Sequence, residues 1–247
     1  MTREELNSYI LNKIMFGCTA NPKQVIKEFK KSIRKTNETL IGIETDYLEE
    51  IVQGSVCIDG FYFKIVDEDK IKLVFYDGTY SELDLSDCID IIGDCCFYKN
   101  KVIRKVSGAG INSIEDNAFS RSTVKIANFA NLVECGRYAF DTSSLEEISI
   151  PRINRIESRV FSACHELTKV NADACTYIGH FSFSSCTGLR EVNFPNCEVI
   201  APLAFEDCYS LEKVRVADST YIADNAFSGC LLLKKGDEGG SDRYILA

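Results

Sequence analysis

Twelve cysteines and two histidines are the side chains with the most chemistry to offer in this 247-residue sequence. Thiols can hold a metal, join as disulfides or act as nucleophiles, and each use demands a spacing of its own. Zinc sites gather ligands at short intervals, typically as Cys-x2-Cys pairs, and no such pair occurs here. Five cysteines run instead in equal steps of 11: Cys164, Cys175, Cys186, Cys197 and Cys208. A Cys/His nucleophile would have to use His165 or His180, and His165 directly follows Cys164. Neighbours in an extended segment face opposite ways, so a thiol turned inward leaves that imidazole outside and badly placed for proton transfer. Cys95 and Cys96 form a vicinal pair, the arrangement of a redox switch.

Regular spacing asks for a regular scaffold, and an internal period is the first thing to test for. Phenylalanine recurs at Phe97, Phe119, Phe140, Phe161, Phe183, Phe205 and Phe227, in steps of 21 or 22. An Ile stands five residues before nearly every one, as in IEDNAF (Ile114 to Phe119), IESRVF (Ile156 to Phe161) and IADNAF (Ile222 to Phe227). Downstream come a Cys at the third position (Cys164, Cys186, Cys208, Cys230), a Leu at the sixth (Leu167, Leu189, Leu211) and a Val at the ninth (Val170, Val192, Val214). The stretch around the Val alternates, which predicts a short strand with one buried face. The Ile-to-Phe phrase, with a small residue before the aromatic, predicts a compact turn or short helical piece on the opposite side. One coil buries little alone, whereas stacked coils cover one another and make a continuous core. The cysteine step of 11 is half a coil, so the thiols form two inward ladders on opposite sides. A small polarizable side chain fills a tight turn well. That repeat position also accounts for Cys96. Disulfides between ladder neighbours, with coils roughly 5 Å apart, and a metal are the alternatives.

The phrase Ile-x-x-x-Ala-Phe-x-x-Cys-x-x-Leu-x-x-Val resembles the BspA-type leucine-rich repeat of many bacterial proteins and some protist surface proteins. The resemblance covers about Leu83 to Leu233. It implies a solenoid that makes a binding surface, often displayed on cells. Departures occur where Val124 and Ala127 replace the Leu and Val positions one residue early, and where the family's frequent Ile-Pro survives only as Ile150-Pro151 and Phe194-Pro195. Those coils are expected to be irregular at their edges yet to stay in the stack.

Stacking in register would align the exposed strand positions as rows. One reads Glu147, Lys169, Glu191, Lys213 and its neighbour Glu146, Thr168, Arg190, Glu212. Opposite charges on adjacent strands stabilise a sheet by a few tenths to ~1 kcal/mol each, so these rows neutralise themselves. A third row, Ser107, Asn128, Ser149, Asn171, Asn193, Arg215, is small and polar. Ser149, Asn171, Asn193 and Arg215, with Arg190 beside them, are the expected partner-binding residues, against the alternative of plain solvated sheet.

Before the repeats, Arg3 to Phe16 and Pro22 to Lys35 predict two helices, the second capped by Asn21. Phe61 to Val66, Lys70 to Tyr76 and Thr79 to Leu85 predict strands of a meander, joined by Asp67-Glu68-Asp69 and by a hairpin at Asp77-Gly78. The meander would cover the first coil, as solenoid ends require. After Cys230, Leu231-Leu232-Leu233 lead into a stretch rich in glycine and charge. The last coil is therefore expected to be closed by Tyr244, Ile245 and Leu246 folding back, or by an end-to-end homodimer. The expected fold class is α+β: a leucine-rich-repeat solenoid of about seven coils of ~22 residues with an N-terminal helical and β-meander cap. The domains are a helical head (1–54), a β-meander cap (55–82), the repeats (83–233) and a flexible tail (234–247).

Net charge is −9, and residues 1 to 40 hold eight Lys/Arg against four Asp/Glu. The acidic body would repel nucleic acid and anionic membrane. The basic stretch Lys23, Lys27, Lys30, Lys31, Arg34, Lys35 fits an acidic partner or the solvated face of a helix. No window approaches the roughly 18 apolar residues of a membrane span, and the first residues predict a helix instead of a secretion signal. A cytoplasmic location with reduced thiols follows as the expectation, or the cell surface if the natural chain is longer. The expected function is non-catalytic protein binding or scaffolding, with a protein partner and no cofactor or metal. The alternatives are cell-surface adhesion and an enzyme with its site in the N-terminal region. That region offers no phosphate-binding glycine loop and no histidine.

Overall fold

A computed structural model describes residues 55–58, 60–66, 70–85 and 89–233. The chain enters as an antiparallel meander of β1 (Val56–Ile58), β2 (Phe61–Val66) and β3 (Lys70–Tyr76). The first hairpin turns at Gly60, whose φ of 79° costs nothing without a Cβ. β1 lies outside the three expected strands, although Asp59-Gly60 carries the same hairpin signal as Asp77-Gly78. The hairpin expected at Asp77-Gly78 does not form. The free edge of β3 is taken in parallel by β5 (Ile91–Ile92), so β4 (Glu82–Leu85) leaves the meander and pairs in parallel with β6 (Lys105–Gly108) in another sheet. Gly78 has a different reason to be small: a Cβ there would lie 2.3 Å from the Tyr76 ring. The Tyr76 hydroxyl accepts from Tyr80 N at 2.7 Å and donates to Tyr80 O at 3.1 Å, which pins the corner.

From β4 on, the strands alternate between two walls. The long-strand wall continues through β6, β8 (Ile126–Asn128), β10 (Glu147–Ser149) and β12 (Lys169–Asn171), then β14 (Glu191–Phe194) and β16 (Lys213–Val216). The short-strand wall runs from β5 through β7 (Ser113–Ile114) and β9 (Glu134–Cys135), then β11 (Arg155–Ile156), β13 (Tyr177–Ile178), β15 (Val199–Ile200) and β17 (Tyr221–Ile222). The sequence shows the first wall as alternation around the Val. It hid the second, because a two-residue strand is too short to show a period. The coil with Val124 and Ala127 stays in the stack, with Ala127 in register with both Val106 and Ile148. Among the described residues there is no helix, so the repeats are all-β with turns. The expected helical pair, the α part of the expected α+β class, lies outside the described residues.

Turns form the third side of each coil and hold the phenylalanines. Phe97, Phe119, Phe140, Phe161, Phe183, Phe205 and Phe227 are at most 5% exposed and stack in one column, with centroids 4.8 to 5.5 Å apart at each step. Such pairs add roughly 0.5–1.5 kcal/mol each beyond the area they bury. Tyr76 tops the column at 5.6 Å from Phe97, and Phe61 lies 4.4 Å beyond, so the meander continues the core instead of merely covering it. The backbone beside the column uses the left-handed region repeatedly. The residues two before and two after the Phe have positive φ in six coils, as at Asn117 and Arg121 or Leu203 and Asp207. This strained conformation costs about 1–2 kcal/mol for a non-glycine residue. It turns alternate N–H groups toward the following coil: Asn117 N, Phe119 N and Arg121 N donate to Arg137 O, Ala139 O and Asp141 O.

Candidate binding surface

The thiols point inward. Cys164, Cys186, Cys208 and Cys230 donate to the carbonyls of Phe140, Phe161, Phe183 and Phe205 at 3.0 to 3.1 Å, each reaching back one coil. Cys175 and Cys197 form the second ladder and donate to Tyr177 O and Val199 O. Burial pushes Cys164 and Cys197 up to about 12 and Cys175 to about 11. His165 faces outward, with Nδ1 2.9 Å from Ser185 O, away from the Cys164 sulfur. Cys96 is fully buried, and burial holds its thiol well above the ordinary value. Among the described residues no group of three or more His, Cys, Asp or Glu side chains could hold a metal ion.

The polar row lies where the strand register puts it. Ser107, Asn128, Ser149 and Asn171 follow one another across β6, β8, β10 and β12, and Asn193 pairs with Arg215 across β14 and β16. The row is broken between β12 and β14, which lie side by side without a ladder. Asn171 donates to Ser149 Oγ at 3.3 Å, and its Oδ1 is buried without a hydrogen-bond partner. Arg215 is held by Glu191. Arg190 is exposed at the entry to β14, where its carbonyl accepts from Lys213 N. Ser149 with Asn171 and Asn193 with Arg215 are thus brought together as two pairs, not as one continuous patch. The charge rows neutralise themselves through Lys169 to Glu147 at 3.4 Å and through Lys125 to Glu146.

The short-strand wall and the turns that leave it carry a further surface, outside the rows expected on the Val strands. The Arg159 guanidinium lies 4.4 Å from the Phe181 ring and 5.9 Å from that of Tyr138, so it is held between residues of the coils before and after its own. Arg155 lies 3.8 Å over the Tyr177 ring and 3.1 Å from Glu157. Tyr138 is 39% exposed and Tyr221 65%. The signal was available: Tyr138, Arg159 and Phe181 each stand two before a column Phe, and Arg155, Tyr177 and Tyr221 six before one. Beside this surface β9 and β11 lose their ladder, and a groove of about 630 Å³ opens among Glu115, Asp116, Glu134, Gly136, Arg155 and Glu157. Gly136 is needed there, because a Cβ would lie 2.5 Å from Asp116 N.

The model of the BspA type leucine rich repeat region matches residues 72–173 and 113–234, with six copies. The chain belongs to the BspA-type leucine-rich-repeat family. Membership makes it a repeat protein of a kind that serves as a protein-binding or surface module. Among solved structures, this BspA-type chain is similar to a leucine-rich repeat protein from Eubacterium ventriosum. Identity is 20%, coverage 72% of this chain and 54% of that one, and the TM-score 0.62. The leucine rich repeat protein of T. pallidum is 21% identical over 72% of this chain and 90% of its own, with a TM-score of 0.61. The pneumococcal vaccine antigen PcpA is 16% identical over 67% of this chain and 50% of its own, with a TM-score of 0.53. The chain spans about half the length of the E. ventriosum protein. At these identities the likenesses show the fold alone. No curated protein matches the chain.

Proposed function

We propose that this chain is a non-catalytic protein-binding module whose contact face is the edge where the short-strand wall meets the turns, from Tyr138 to Tyr221. The observation that carries this reading is Arg159 held between Tyr138 and Phe181, with Arg155 stacked on Tyr177 alongside. Arginine and tyrosine are favoured at binding hot spots. Side chains already ordered by stacking lose less freedom on association, which would otherwise cost about 0.5–1.5 kcal/mol for each long side chain. The test captures a partner on the immobilised full chain and compares Arg159→Ala/Tyr221→Ser with Asn193→Ala/Arg215→Ala. Loss of affinity by more than about tenfold in the first variant alone supports the reading. Loss in the second alone moves the contact to the polar row.

That polar row, Ser149, Asn171, Asn193 and Arg215 with Arg190, is the second site we propose, supported by the unpartnered Asn171 Oδ1 beside the ladder break. We take 1–54 as a head, 55–82 as a cap, 83–233 as the repeats and 234–247 as a tail. A reducing compartment such as the cytoplasm is favoured by the buried free thiols of Cys96, Cys135, Cys164, Cys175, Cys186, Cys197 and Cys208. Self-association through the terminal coil is supported by Leu231 and Leu232, 79% and 51% exposed. The likeness to the vaccine antigen makes surface adhesion the competing reading. An enzymatic reading would rest on the N-terminal region, of which residues 1–54 lie outside the described residues.

A further inference from the structure

The rungs of the turn-side thiol ladder are not equivalent. Cys164, Cys186 and Cys208 are fully buried, whereas Cys230, the last rung, is only partly buried. Every rung is anchored to a Phe carbonyl of the preceding coil, which brings each side chain against its neighbour. Ser143 Oγ and Cys164 Sγ are 3.5 Å apart, and Phe205 O accepts from both Cys208 N at 3.3 Å and Cys230 Sγ at 3.1 Å, which sets the two cysteines side by side. Asp207 N donates to Ser228 O at 2.8 Å just beside that pair. Coils joined in this way hold facing Cα atoms about 4.8 Å apart, within the roughly 4.4–6.8 Å that a disulfide spans.

We propose that Cys230 is a thiol-modification site that takes a sulfur from a small-molecule disulfide, and that Cys208 resolves the adduct into a bond between adjacent coils. The Cys230 thiolate attacks one sulfur of the external disulfide, and the first small thiol departs and takes up a proton. Cys208 then gives up its proton and attacks Cys230 Sγ, forming the Cys208–Cys230 bond and releasing the second small thiol. Two protein thiols lose two electrons and two protons, and the external disulfide gains both. The contact from Cys208 draws the Cys230 thiol down from its ordinary value, whereas burial pushes Cys164 and Cys186 up. Only the thiolate attacks, so the accessible rung is also the most reactive of the ladder.

The test treats the folded full chain with oxidised glutathione and maps the unreduced digest by mass. The expected product is a peptide pair joining Cys208 and Cys230, with Cys164 and Cys186 still free. Cys208→Ser puts at this rung the residue that already fills it at Ser122 and Ser143, and should stop at the glutathione adduct on Cys230. In the untreated chain, an alkylating reagent should label Cys230 at least about tenfold faster than Cys208. A Cys230 that stays free while Cys95 reacts, or a Cys208→Ser chain with no adduct on Cys230, overturns the proposal. An adduct on Cys230 that the unaltered chain never resolves overturns the part given to Cys208.

Discussion

Cys164 has no exposed surface, its sulfur lies 3.0 Å from the Phe140 carbonyl, and burial pushes its thiol up to about 12. Cys197 reaches about 12 and Cys175 about 11 by the same cause. An unfolded thiol ionises near 8.5. Between that value and the folded one, the unfolded chain binds fewer protons than the folded chain, so stability falls as pH rises from about 9 toward 11 or 12. Each such thiol should add a slope of up to ~1.4 kcal/mol per pH unit. Urea unfolding across pH values from about 8 to 11 should show the decline, and Cys164→Ser should flatten it by one thiol's share. An unchanged slope in that variant would mean the thiol ionises freely in the fold. The inward thiols and the outward His165 were legible in the sequence, because repeat position fixes which way a side chain faces. The stacking of Arg159 between Tyr138 and Phe181 lies outside the rows of the Val strands, in equally regular rows that stand two before the column Phe.

At the scale of elements, the turn side carries the unusual chemistry. Its left-handed residues are ordinary ones such as Arg121, Thr142 and Ser185, and only the last coil places glycine there, at Gly229. Arg121 is exposed and its amide donates to Asp141 O, so its role is backbone direction. Arg121→Gly removes a Cβ penalty of about 1–2 kcal/mol and adds unfolded-state entropy of about 0.5–1 kcal/mol. It should therefore raise stability by up to about 1 kcal/mol, read as a higher Tm with unchanged circular dichroism. A fall in Tm would show that the arginine side chain matters more than its backbone. The sequence marks a compact turn here but not its handedness, since no glycine stands at these positions before Gly229. The hairpin at Asp77-Gly78 failed for a related reason. The dipeptide signals a sharp change of direction, and the partner available to β3 decided where the chain went next.

For the whole molecule, the column of seven phenylalanines is one core with nearest-neighbour contacts only. Phe140→Ala should cost about 3–5 kcal/mol. In a stack held by neighbours, the loss should be local. Hydrogen exchange should quicken in the coils of Phe119, Phe140 and Phe161 while the meander at Phe61 and Tyr76 keeps its protection. Uniform loss along the chain would mean that the stack unfolds as a single unit. The turn ribbon has one more consequence. Because Asn117, Phe119, Arg121 and their equivalents all aim N–H groups at the following coil, the peptide dipoles of the turn edge, each about 3.5 D, share one direction along the solenoid axis. The amides that flank the two strand walls oppose them: Glu115 N, Thr123 N and Lys125 N donate to Ile92 O, Asn100 O and Arg104 O of the preceding coil. Each coil is thus polarised one way along its turn edge and the other way along its strand edges, and Cys230 lies on the turn edge of the coil toward which the first set points.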